Sequence, residues 1–93
     1  MRNREAEVQD KINAVRERLE EGLRLLPRHD HLKNLPIEYE PLDYQTLLIH
    51  FSNASFFSDA DVATIKELVG GSRSCELTHD SQNKLRLSFT ISL

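Results

Sequence analysis

Ser74-Cys-Glu-Leu-Thr-His79 and Leu85-Arg-Leu-Ser-Phe-Thr-Ile-Ser-Leu93 decide the fold. In the second stretch Leu85, Leu87, Phe89, Ile91 and Leu93 alternate with Arg86, Ser88, Thr90 and Ser92, the period-two pattern of a strand with one face on a core. In the first, Cys75, Leu77 and His79 alternate with Ser74, Glu76 and Thr78, and Asp80-Ser-Gln-Asn83 supplies turn residues between the two. The sequence therefore predicts a C-terminal antiparallel hairpin. Cys75 falls on the apolar side and reads as a small core residue, not a nucleophile.

Immediately upstream, Ser58 caps a helix running from Asp59 to Val69. Its hydroxyl faces the amide of Asp61, the Asp61 carboxylate can return to the Ser58 amide, and Phe57 can pack on Val62. Val62, Ile65, Leu68 and Val69 form the buried stripe, and Gly70-Gly71 ends the helix. Asp59 and Asp61 occupy the positive helix end that a phosphate would need, which argues against nucleotide binding there.

Thr46-Leu-Leu-Ile-His-Phe51 is a short apolar run that reads as a buried strand, with Leu47, Ile49 and Phe51 on one face. A helix over residues 44–52, capped by Asp43, is the competing reading. Pro27, Pro36 and Pro41 make 27–45 an extended connection, and Leu35, Ile37 and Tyr39 alternate with Pro36, Glu38 and Glu40 as in an edge strand at 36–40.

Residues 1–26 form the longest element. Val8, Ile12, Val15, Leu19, Leu23 and Leu26 recur three or four apart along one helical stripe, and Pro27 ends it. Such a helix is about 36 Å long against strands of about 20 to 25 Å, so part of it is expected to overhang. The stripe either covers the chain's own sheet or, through Val8, Ile12 and Val15, meets a second copy. A parallel coiled coil is disfavoured, because it would place Lys11 opposite Arg16, and Gly22 would leave a hole in the seam.

These elements predict one α+β domain over residues 1–93: a small two-layer sandwich. The long N-terminal amphipathic helix and a second short helix would lie on one face of a mixed sheet of three or four strands, with strand–helix–hairpin over 46–93. The 93 residues carry 12 Lys plus Arg against 15 Asp plus Glu, a net charge of -3 opposite to a nucleic-acid footprint. There is no apolar run long enough for a membrane span, and the single cysteine cannot form an internal disulfide, so a soluble cytoplasmic protein is expected.

Motifs for chemistry are sparse. His29-Asp-His31 could begin a metal site, with His50, His79 or Cys75 as further ligands, but the spacing does not bring them together. Ser81-Gln-Asn-Lys84 has a Ser-x-x-Lys spacing at a hairpin tip, without an oxyanion hole. No catalytic residue, cofactor or metal ligand is assigned. The surface says more. Ser88, Thr90 and Ser92 line the outer face of the last strand, which carries charge only at Lys84 and Arg86, and monomers usually protect such edges. The expectation is a non-catalytic interaction module, self-associating through Ser88, Thr90 and Ser92 of that strand or through Val8, Ile12 and Val15 of the first helix. Two other readings accompany it: a winged-helix DNA-binding regulator if 44–52 is helical, and a small-ligand binder at a subunit junction lined by His50, Tyr39 or Tyr44.

Overall fold

The computed structural model describes residues 4–25, 30–79 and 82–93. In chain order the elements are α1 (Arg4–Leu25), α2 (Asp30–Lys33), β1 (Ile37–Pro41), β2 (Thr46–Ala54), α3 (Asp59–Leu68), β3 (Ser74–His79) and β4 (Leu85–Ser92). The strands form a single sheet in the order β1-β2-β4-β3, and every ladder is antiparallel. The chain thus consists of two successive helix–hairpin units whose second strands, β2 and β4, pair at the centre. The expected mixed sheet is corrected accordingly. β2 and β3 do run parallel, but with β4 between them, so their parallel relation forms no ladder.

The two helical stripes and one sheet face make the core. Ile12, Leu19 and Leu23 of α1 and Ile65 and Val69 at α3 pack with Leu47, Ile49 and Phe51 of β2 and Leu87, Phe89 and Ile91 of β4. Phe51 and Phe89 meet edge to face at 6.1 Å between ring centroids, a favourable quadrupole arrangement. The α3 cap forms as its residues dictate: Asp61 N donates to Ser58 Oγ at 3.1 Å and Ser58 N donates to Asp61 Oδ2 at 2.8 Å. Gly70 and Gly71, at φ 81° and 96°, then turn the chain toward β3.

Residues 46–54 are a strand, which removes the helical alternative and with it the helix–helix–helix–strand order that the DNA-binding reading required. The choice follows from tertiary pairing: β2 has a neighbour on both sides, and its Leu47, Ile49 and Phe51 are fully buried. β2 continues past Phe51 through an irregularity before Ala54, where Asn53 adopts φ 61°. The edge strand lies at Ile37–Pro41, one residue beyond the expected 36–40.

The stripe of α1 is occupied by its own sheet. Ile12 is in the core, and Val8 and Val15 pack against it half-buried. Gly22 lies against the side chain of Leu68, which explains a glycine in that stripe as the close approach of α1 and α3. Along the exposed face, Arg24 pairs with Glu21 at 3.4 Å, not with the Glu20 that i, i+4 spacing suggests. Arg16 lies 5.4 Å from the centroid of the Tyr39 ring.

Candidate functional site on the rim and open face of the sheet

β4 is flanked by β2 and β3. Its main chain is therefore engaged within the chain, and the expected strand pairing through Ser88, Thr90 and Ser92 is corrected. The hairpin supplies an edge, but through its first strand, because β4 inserts beside β2. The side chains of Ser88, Thr90 and Ser92 remain on the face of the sheet opposite the helices. In register they form rows with β2 and β3: His50, Ser88 and Glu76 in one, and Leu48, Thr90 and Ser74 in the next.

Two bonds fix which way the main-chain groups point. Arg73 N donates to Thr90 O at 2.8 Å on the β3 side, and Leu93 N donates to Gln45 O at 2.8 Å on the β2 side. Since successive residues of a strand direct their N–H and C=O groups to opposite sides, even-numbered residues of β4 face β3 and odd-numbered ones face β2. Through the register Ser74↔Thr90, Glu76↔Ser88 and Thr78↔Arg86, the even residues of β3 face β4. Cys75 and Leu77 thus direct their N–H and C=O groups outward, to the rim.

The other rim differs. Leu42 N donates to Thr46 O and Ser52 N to Pro36 O, so Ile37, Tyr39 and Pro41 face outward on β1. Pro41 has no N–H, Pro36 precedes the strand, and Glu38 and Glu40 carry charge, all features that discourage pairing. β3 has no proline, one charged residue (Glu76), and an apolar Leu77 that is 54% exposed. Burial pushes the half-buried Cys75 thiol up from its ordinary value, against the nearby positive charge of Lys66.

The open face also holds an arrangement that sequence reasoning missed. His50 Nε2 lies 2.9 Å from Glu40 Oε2 and His50 Nδ1 lies 2.7 Å from Ser88 Oγ, with the His50 side chain only 8% exposed. A carboxylate only accepts, so Nε2–H donates to Glu40, and in the neutral ring Nδ1 accepts from the Ser88 hydroxyl. That polarity would suit activation of a hydroxyl, but acyl transfer also needs donors for a developing oxyanion. The β4 amides beside Ser88 are engaged in the ladders with β2 and β3. The chain of three side chains crosslinks β1, β2 and β4 through polar contacts, and Arg86 adds an exposed ion pair to Glu38 at 3.3 Å. His50 and Ser88 both show strand periodicity in sequence, but only the register places them together.

The other expected ligands do not converge. His31 Nε2 meets Asp61 Oδ2 at 2.7 Å and stacks on Phe56 at 4.7 Å, His50 is held as above, and Cys75 and His79 lie on β3. His29 and Ser81 lie outside the described residues. Among the described residues no group of three or more His, Cys, Asp or Glu could hold a metal ion. Tyr39 faces the helices and His50 the opposite side, so within one chain these two do not line a common site. Tyr44 instead borders a groove of about 280 Å³ between α1 and the β1–β2 turn, with Val8, Ile12 and Leu42.

No described helix is long and apolar enough to cross a membrane. Comparison with known proteins found no matching family model, curated protein or solved structure.

Proposed function

We propose that this chain is a non-catalytic protein-interaction module of the cytoplasm that accepts an extended strand of a protein partner along β3. The observation that supports it best is the contrast between the two rims: β1 is guarded by Pro36, Pro41 and two glutamates, whereas β3 directs the main chain of Cys75 and Leu77 outward beside a half-exposed leucine. Strand addition draws affinity from main-chain hydrogen bonds and selectivity from alternate side chains. Here Leu77 on the helix side and Glu76 on the open side would supply the selectivity.

The test is affinity capture from an extract of the source organism with the wild-type chain and with Leu77→Pro and Leu77→Lys. Proline removes an outward N–H that β4 does not use, and lysine places a charge at the rim. Partners held by the wild type and lost by both variants, with unchanged circular dichroism, are the expected result. An identical set of partners on all three chains would remove β3 as the binding edge.

A further inference from the structure

We propose that the strand accepted along β3 is β3 of a second copy, paired antiparallel about a two-fold axis through Leu77, so that two four-stranded sheets join into one of eight. This rests on the strand-accepting reading above and adds the occupant and the register.

Geometry restricts the choices sharply. Directly opposed residues in an antiparallel pair point to the same face, so a two-fold axis normal to the sheet passes through a residue and not between residues. An axis through Glu76 sets Glu76 against Glu76 of the partner subunit at a non-hydrogen-bonded position, where Cα atoms approach to about 4.5 Å and like charges destabilise. With an axis through Cys75, Leu77 falls opposite Arg73 of the partner subunit, outside the strand, and Thr78 and His79 are left without a neighbour.

An axis through Leu77 has neither fault. Leu77 faces Leu77 of the partner subunit, and Cys75 faces the partner's His79. These are odd-numbered positions, which direct their N–H and C=O groups to the rim. Three such pairs exchange about six main-chain hydrogen bonds. Glu76, the only Asp, Glu, Lys or Arg in the strand, falls opposite the neutral Thr78 of the partner subunit, so no like charges oppose each other. The two leucines, each 54% exposed in the single chain, cover one another. Both helical layers then lie on the same side of the joined sheet.

The experiment combines sedimentation of the full chain with a register-specific crosslink. Wild-type protein is expected to form a concentration-dependent dimer by about 100 µM, because ordering so small a contact opposes association. Cys75→Ser/Leu77→Cys is expected to form a covalent dimer under mild oxidant, since its two Cα atoms would lie about 5.5 Å apart, within disulfide range. Wild-type Cys75 is expected not to crosslink, because the two copies of that residue sit four positions apart along the strands, about 13 Å.

Leu77→Lys opposes two like charges and is expected to weaken dimerisation at least tenfold, a readout that does not depend on the cysteine variant folding. A monomer at every concentration, a Cys75 crosslink in place of the Leu77→Cys one, or a dimer indifferent to Leu77→Lys overturns the inference. If the wild type stays monomeric while capture of a foreign protein is still lost in the Leu77 variants, the second copy is excluded and strand acceptance along β3 stands.

Discussion

His31 and Asp61 meet at 2.7 Å across thirty residues of sequence, joining α2 to the first turn of α3. Asp61 is 1% exposed, and the same carboxylate oxygen that faces His31 also accepts from Ser58 N. One side chain therefore closes the helix cap and anchors the connection that follows α1.

Asp61→Ala removes the return half of the capping box and leaves His31 without its carboxylate. A cap alone is worth about 1 kcal/mol, and a buried charged hydrogen bond about as much again or more, so a loss of about 2 to 3 kcal/mol is expected. Ser58→Ala, which leaves the His31 contact intact, is expected to cost about 1 kcal/mol. Urea unfolding of both variants checks the order.

Tyr39 should ionise late. Burial pushes its hydroxyl up to about 12, the negative charge of Glu20 adds to this, and Arg16 opposes it. With an unfolded value near 10, stability is unchanged by this group below about pH 10 and falls as pH rises from there through about 12, because the unfolded chain releases that proton first. Absorbance titration should show the late transition in the wild type and not in Tyr39→Phe. That variant should be no less stable at neutral pH, since the buried hydroxyl has no hydrogen-bond partner among the described residues.

Proline substitution separates the two strands of the C-terminal hairpin. The Thr90 N–H faces β3 in the sheet interior, so Thr90→Pro should cost about 3 kcal/mol or more. Leu77→Pro removes only an outward N–H and should cost clearly less. Chemical denaturation of the pair tests the assigned parity, and equal losses would contradict it.

Gly22→Ala should be nearly neutral alone, because the gain in helix propensity of about 1 kcal/mol is offset by displacing the Leu68 side chain. In a Leu68→Ala background the same change should stabilise by about 1 kcal/mol, since the obstacle is gone. A thermodynamic cycle over the four proteins measures the difference.

Local sequence rules were enough for most of the elements, but not for α2, which lies inside the stretch 27–45 read as an extended connection, nor for the choice of strand over helix at 46–54. The alternation from Leu85 onward, the Ser58 and Asp61 cap and the stripe through Ile12, Leu19 and Leu23 each rest on neighbours within one or two turns. Strand order was not legible in this way. Ser88, Thr90 and Ser92 lie on the outer face as their alternation implies, but whether β4 is central depends on β2, nearly forty residues earlier, choosing β4 as its second neighbour. The same distance concealed the contact of Ser88 with His50, and Glu40, ten residues away, reaches His50 only through the pairing of β1 with β2. Val8, Ile12 and Val15 had the right periodicity for either a partner helix or the chain's own sheet, and only tertiary packing shows them set against the sheet.

Amide hydrogen exchange at Leu77 tests the central claim most directly. If β3 accepts a strand, that amide should exchange as an open edge in dilute protein and become protected when the contact forms, either on raising the concentration to about 1 mM or on adding a captured partner. Protection of Leu77 together with Cys75, with little change at Ile37 and Tyr39 on the other rim, is the expected result. Rapid exchange at Leu77 under both conditions would contradict it.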